Sequence, residues 1–180
     1  MLTKAIQNTL NSLSIIIFFI TYKTMGILSA SAVLVVFSIF LFGFNYLVIR
    51  WLPISNIISL AIICIFSSMT VVTGDDKYVK LHITLLNIFF TLMLLTGILL
   101  KKNFLRFIIG DMLPSGGAIW INISKYWTAL FFILAIVNEI IRTLASTTIW
   151  IYSITFGANI ATFCLVIFQI RYIKKHLAIR

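Results

Sequence analysis

Residues 27–49 read ILSASAVLVVFSIFLFGFNYLVI, an apolar run without a charged side chain that stops at Arg50. A helix crosses the hydrocarbon core of a bilayer, about 30 Å thick, with about 20 mainly apolar residues, so this run is predicted to be a transmembrane span. Similar runs recur along the chain, and each ends at a charge, a proline or a glycine. The predicted spans cover residues 27–49, 54–73, 81–100, 120–141 and 148–170.

The composition favours the same class of protein. Hydrophobic residues make up 62% of the 180 residues and charged residues 10%, and the mean hydropathy is +1.14, whereas about a quarter of the residues in a soluble domain are charged. The predicted fold is therefore all-α, a polytopic transmembrane helical bundle forming one integral membrane domain over residues 1–180. The net charge of +10 does not indicate nucleic-acid binding, because the basic residues lie between and beyond the spans.

The N-terminal segment, residues 5–22, allows several interpretations. It is uncharged, but its first half carries Gln7, Asn8 and Asn11. A sixth span, a half-inserted helix and the apolar region of a signal peptide all fit this pattern. Cleavage at the small residues 29–31 would destroy the span that follows, which disfavours the signal peptide.

Residues 101–110 follow the third clear span and mix basic with apolar side chains. Lys101, Lys102 and Arg106 alternate there with phenylalanine, leucine and isoleucine. This pattern is typical of a short amphipathic helix lying in the membrane interface, with its basic side toward anionic lipid head groups.

The distribution of lysine and arginine predicts the orientation. With six crossings, ten of the 14 basic residues share the side of the C-terminus: Lys4, Arg50, Lys101, Lys102, Arg106, Lys125, Arg171, Lys174, Lys175 and Arg180. With five crossings Lys4 changes side and the majority remains. Because the cytoplasmic side collects the basic residues, the C-terminus is predicted to be cytoplasmic.

Sequence motifs give no support to catalysis or to a bound cofactor. The chain has no HExxH, GxxxxGK[ST], GxGxxG or GxSxG pattern. Cys64 and Cys164 lie alone inside apolar runs and are predicted to be small core residues. We therefore expect a protein that is not an enzyme, with no metal or cofactor site.

Two groups of charged residues each have a structural and a functional interpretation. Asp75, Asp76, Lys80 and His82 follow Gly74 at the predicted outer boundary. In the structural interpretation Asp75 or Asp76 caps the next helix, whereas the alternative makes Asp76, Lys80 and His82 a polar contact site at the membrane edge. Glu139 and Arg142 are three residues apart and can form an ion pair on one helix face, whereas a proton or ion relay is the alternative.

Uncharged polar and aromatic residues inside the spans are expected to organise the helices. The amide side chains are predicted to face other helices and to hydrogen-bond there: Asn45, Asn56, Asn87, Asn138, Asn159 and Gln169. The four tryptophans are predicted to anchor span ends at the interface: Trp51, Trp120, Trp127 and Trp150. The spacings of Gly26 with Ala30, and of Gly157 with Ala161, allow close helix approach within one chain or in a homo-oligomer.

The sequence resembles the bacterial YciB family, also called intracellular septation protein A, over about residues 18–175. The resemblance rests on the order and spacing of elements found here: Phe18-Phe19-Ile20-Thr21-Tyr22-Lys23, Asp75-Asp76, Tyr78-Val79-Lys80, Thr84, Trp120, Trp127, Phe131, Phe132, Ala135, Asn138, Trp150, Phe156-Gly157, Thr162 and Gln169. The chain departs from the family pattern at residues 78–84, where a tryptophan, a lysine and a proline are replaced, and at Ile154, where a lysine is replaced.

The resemblance implies a multi-pass protein of the bacterial inner membrane without known catalytic activity. It further implies support of envelope biogenesis, envelope integrity, membrane homeostasis and septation, through membrane lipids and through division and wall-synthesis proteins. The candidate functional residues are Lys23, Asp76, Lys80, Asn138 and Glu139. A small transporter or channel for an ion, lipid or wall precursor, with Asn138 and Glu139 in its path, is the second hypothesis, and an enzyme using Asp76, Lys80 and His82 is the third.

Overall fold

The computed structural model describes residues 2–49, 54–105 and 117–177, and these ranges consist of helices and short turns. The elements are α1 (Leu2–Ile49), α2 (Ile54–Thr73), α3 (Lys77–Leu99), α4 (Gly117–Leu144), α5 (Thr147–Tyr152), a π-helical turn (Ser153–Gly157) and α6 (Ala158–Leu177). The all-α prediction is confirmed.

Four helical stretches among the described residues are long and apolar enough to cross a membrane: Ile16–Phe44, Lys77–Leu99, Ile119–Leu144 and Thr147–Ile173. The apolar part of α2, Ile57–Thr73, is shorter. The chain is therefore a polytopic transmembrane helical protein, although length and apolarity support four crossings where the sequence predicted five clear spans.

The helix α1 is interrupted at Gly26. This glycine has φ 82° and ψ −179°, a conformation that is essentially confined to glycine. The break lies one residue before the predicted start of the span at residue 27, and the ambiguous segment 5–22 is helical up to it. Of the small residues that resemble a cleavage site, Ala30 and Ser31 are fully buried and Ser29 is half-buried, so two of the three belong to the packed interior of this part of the chain.

The chain divides into two compact units, Met1–Leu86 and Asn87–Arg180. In the first unit, α1 packs against α2. In the second unit, α4 packs against α5 and α6, around a core formed by six buried side chains: Leu94, Leu105, Trp120, Ile123, Trp127 and Ile173. The single domain over residues 1–180 stays a prediction.

The predicted interfacial helix over residues 101–110 is wrong for the part that the structure describes. Residues 101–105 form a turn rather than a helix, and Leu105 is fully buried in the core of the second unit. The reason is the end of α3: the Lys102 N–H donates to the Gly97 carbonyl oxygen at 2.8 Å, and Lys101 takes a left-handed φ of 53°. This geometry turns the chain back over the helix. Residues 106–110 lie outside the described residues.

Candidate functional site

The first group of polar residues joins α2 to α3 in the first unit. The Thr70 Oγ1 accepts a hydrogen bond from the Val79 N–H at 2.7 Å and donates to the Phe66 carbonyl oxygen at 3.1 Å. Gly74, with φ 72°, ends α2 and allows this tight turn. Thr70 is fully buried, so its hydroxyl ties the start of α3 to the end of α2.

Two aspartates follow Gly74 and have different roles. The Asp75 Oδ1 accepts from the Lys77 N–H at 2.9 Å and its Oδ2 lies 2.7 Å from the Lys77 ammonium. The capping prediction therefore holds for Asp75, and hydrogen bonds from Lys77 lower the pKa of this exposed carboxyl. The Asp76 Oδ2 lies 2.6 Å from the Lys80 ammonium, and the Lys80 side chain is only 8% exposed. Since a buried ammonium is stable only when it is paired, Asp76 compensates the charge of Lys80.

A histidine and a serine lie one helical turn further from this hairpin bend. His82 follows Val79 by three residues on α3, and Ser67 precedes Thr70 by three residues on α2. Both are buried, and in the part of the chain that the structure describes the Ser67 Oγ has no hydrogen-bond partner. Sequence reasoning singled out His82 with Asp76 and Lys80 but missed Ser67 and Thr70, because isolated hydroxyl residues in an apolar helix are common.

The second group consists of two tryptophan–amide hydrogen bonds in the second unit. The Trp150 Nε1–H donates to the Asn138 Oδ1 at 2.9 Å, linking α5 to α4. The Trp127 Nε1–H donates to the Gln169 Oε1 at 2.9 Å, linking α4 to α6. All four side chains are buried, so the prediction that amides hydrogen-bond between helices is confirmed for these two. It is wrong for Asn159, which is exposed and donates to the Thr155 carbonyl oxygen of its own turn at 2.7 Å.

The prediction that the tryptophans anchor span ends at the interface is wrong for three of them. Trp120, Trp127 and Trp150 are buried in the second unit. For Trp127 and Trp150 the reason is that an indole that finds an amide acceptor can enter a helix contact without leaving its N–H unpaired. Trp51 lies outside the described residues. The cysteine prediction is also wrong: Cys164 is exposed and Cys64 half-buried, since both occupy outward positions on their helices.

The remaining candidate residues are Glu139, next to Asn138 on α4, and Lys23 on α1. The Glu139 carboxylate pairs with Arg142 through both of its oxygens, one of them 2.8 Å from the Arg142 Nε. The expected ion pair is confirmed. The neighbouring Asn138 does not take part in it and accepts a hydrogen bond from Trp150. Lys23 is exposed, and its ammonium lies 5.8 Å from the centre of the Phe19 ring. The roles of all five candidates remain predictions.

These contacts bear on what chemistry the chain can support. Within the described ranges, no group of three or more histidine, cysteine or acidic side chains could hold a metal ion. The charged side chains at Asp76, Lys80, Glu139 and Arg142 are engaged in ion pairs. Such an arrangement stabilises helix ends and helix contacts in a membrane.

The fold and these contacts define the class: a polytopic α-helical membrane protein with buried polar pairs within and between its helices. The sequence model of the intracellular septation protein A family matches residues 6–179. The chain therefore belongs to the intracellular septation protein A family.

Curated relatives agree with this assignment. The inner membrane-spanning protein YciB of Shewanella sp. (strain ANA-3) is 28% identical over 171 residues, covering 95% of this chain and 94% of the relative. The protein of the same name from Vibrio atlanticus (strain LGP32) is 27% identical over 171 residues, covering 95% of this chain and 83% of the relative. No solved structure matches the chain.

Proposed function

We propose that this protein is a non-enzymatic component of the bacterial inner membrane that supports septation and envelope integrity by contacting lipids and the proteins of division and wall synthesis. The observation that carries the proposal is that polar and apolar side chains occupy different places in the structure. Polar groups pair within the protein, as in Trp150–Asn138 and Asp76–Lys80, while large apolar side chains cover the outer helix faces. The outer faces of such a protein are available for contact with lipids and with other membrane proteins.

The apolar faces extend along several helices. Val72 at the end of α2 is 85% exposed, Leu47 on α1 is 75% exposed and Phe163 on α6 is 65% exposed. Side chains of this kind are stable in contact with acyl chains or with the helices of another membrane protein. The family description supports septation as the process, and the name of the curated relatives supports the inner membrane as the location.

Photo-crosslinking in living cells tests the proposal. A photoreactive amino acid replaces Phe163 or Ile160, both exposed on α6, and the matched control carries it at the buried Ile151. We expect the two exposed positions, but not the control, to capture division or wall-synthesis proteins. Failure to recover any such protein, together with normal envelope behaviour of a deletion strain, would contradict the proposal.

The cytoplasmic C-terminus belongs to the same proposal. The basic residues after the last span, including Arg171 and Lys174, support it because positive charge collects on the cytoplasmic side. A fusion of alkaline phosphatase to the C-terminus should be inactive and a fusion of green fluorescent protein fluorescent. An active phosphatase fusion would reverse the orientation.

Flux measurements separate this proposal from transport. Since the Glu139 carboxylate pairs with Arg142 on its own helix, we expect liposomes containing the purified protein to show no ion flux that depends on Glu139. A flux that falls in the Glu139→Gln variant but not in a Thr143→Val control on the same helix would favour the transporter hypothesis instead.

A further inference from the structure

A cleft in the second unit lies between the turn after α3 and the first turns of α4. Lys101, Lys102 and Asn103 line it from the turn, and Trp120, Ile121 and Ser124 line it from the helix. None of these six residues is acidic. Because α3 is an apolar span that ends at this turn, the cleft lies at a membrane boundary, the depth at which lipid phosphates are found.

The turn that contains Lys101 and Lys102 packs closely against the end of α3. Lys101 takes the left-handed conformation that usually belongs to glycine after a helix, so a cation is held here at a conformational cost. Gly97 allows the turn to fold back, because a Cβ at this position would lie 3.0 Å from both the Lys102 carbonyl oxygen and the Phe104 Cβ. The backbone of the two lysines is thus held in a tight turn.

A buried polar atom in the cleft needs a partner. The Asn103 Oδ1 is buried and finds no hydrogen-bond partner among the described residues. Since the two ends of a carboxamide have nearly the same shape, this side chain can present its NH₂ group to an anion or its oxygen to a hydroxyl. The neighbouring Ser124 is buried as well. The cleft therefore combines two cations with an amide whose oxygen has no hydrogen-bond partner among the described residues.

We propose that this cleft binds the head group of an anionic phospholipid from the surrounding bilayer, with Lys101 and Lys102 holding the phosphate. Asn103 then hydrogen-bonds to the phosphate or to a head-group hydroxyl. The walls formed by Trp120 and Ile121 favour a lipid over a free phosphate ion, because a glycerol backbone and acyl chains can lie against them. This site does not depend on the partner proteins proposed above.

Native mass spectrometry of the full chain in a neutral detergent tests the site. We expect the protein to retain one phosphatidylglycerol in preference to phosphatidylcholine. The Lys101→Gln/Lys102→Gln variant should bind phosphatidylglycerol about 25-fold more weakly, since each lysine near an anionic lipid changes affinity roughly fivefold. The matched control is Lys125→Gln/Arg171→Gln, which removes two exposed charges outside the cleft and should retain the preference. Lys125 lies one helical turn after Asn122, and Arg171 directly precedes Tyr172. Because Asn122 and Tyr172 are hydrogen-bonded, both control residues lie at the same end of the unit as the cleft.

Two further measurements make the result decisive. Gly97→Ala displaces the turn without changing charge and should weaken phosphatidylglycerol binding, with circular dichroism and gel filtration confirming that the variant is folded. Inorganic phosphate should compete only weakly. Equal losses of phosphatidylglycerol binding in the two double variants would mean that the lipid binds to a general basic surface. Displacement of the lipid by millimolar phosphate would mean a site for phosphate ions. Equal retention of phosphatidylcholine would mean that the cleft does not recognise the head group. Each of these outcomes overturns the proposal.

Discussion

The hydrogen bond between Trp127 and Gln169 provides the sharpest test of how α4 and α6 are held together. It joins two buried side chains at 2.9 Å, and the Gln169 Nε2 is buried without a partner among the described residues. Replacing Trp127 by phenylalanine removes the donor, leaves both ends of the amide unpaired and creates a small cavity. Replacing Gln169 by methionine leaves the Trp127 N–H without its acceptor, but it also removes the unpaired Nε2, so the two effects partly offset each other.

The magnitudes follow from these differences. A buried hydrogen bond contributes about 1 kcal/mol and an unpaired buried group costs about 1–3 kcal/mol, but measured values inside membranes average only about 0.6 kcal/mol. We therefore expect Trp127→Phe to lower the free energy of unfolding by about 2 kcal/mol and Gln169→Met by less than about 1 kcal/mol. The double variant should lose about 1 kcal/mol less than the sum, because no unpaired amide remains.

The assay is reversible unfolding in mixed micelles, with helicity followed by circular dichroism. Asn159→Met is the matched control, because it removes an exposed amide that bonds only to its own helical turn. In a double variant, the changes in the free energy of unfolding caused by Asn159→Met and by Trp127→Phe should simply add. If Trp127→Phe and Gln169→Met were additive within about 0.3 kcal/mol, the hydrogen bond would not be a coupled element of the α4–α6 contact.

Two further predictions concern the first unit. Asp76→Asn should lower the free energy of unfolding by about 1–3 kcal/mol, the cost of a buried polar group that loses its partner, because it removes the carboxylate that pairs with the buried Lys80 ammonium. Asp75→Asn, at the exposed neighbouring pair, should change the free energy of unfolding much less. Equal effects of the two variants in the same micelle assay would refute the reasoning. Gly26→Ala should cost about 1–3 kcal/mol through backbone strain alone, since no atom lies within 4 Å of the added Cβ. Gly157→Ala, equally open but with helical φ, should not destabilise, and a harmless Gly26→Ala would show that the break in α1 is not rigid.

Local sequence was sufficient to predict most of the helices. Ile54–Thr73 was predicted to the residue, because charge, proline and glycine limit an apolar run without help from tertiary contacts. The start of α3 was missed by four residues: Lys77 and Lys80 belong to the helix, since Asp75 caps it and Asp76 pairs with Lys80. Charge marks the end of an apolar run but not necessarily the end of a helix.

The partners of the candidate site were harder to predict. The pair Glu139–Arg142 was expected because a spacing of three residues places both side chains on one helix face. The pair Asp76–Lys80 was not predicted, although its spacing of four residues has the same effect. The contacts Trp150–Asn138 and Trp127–Gln169 span 12 and 42 residues. No periodicity within one helix specifies them.

The sequence by itself determined that the chain lies in a membrane, that it is helical, and approximately where its helices begin and end. These properties depend on the length of the hydrophobic runs and on the positions of charged residues along the chain. Only the tertiary structure decided which polar groups are buried together. A tryptophan near a span end satisfies its N–H equally well at the lipid interface and against an amide of a neighbouring helix. For Trp127 and Trp150 the packing of the second unit selected the amide.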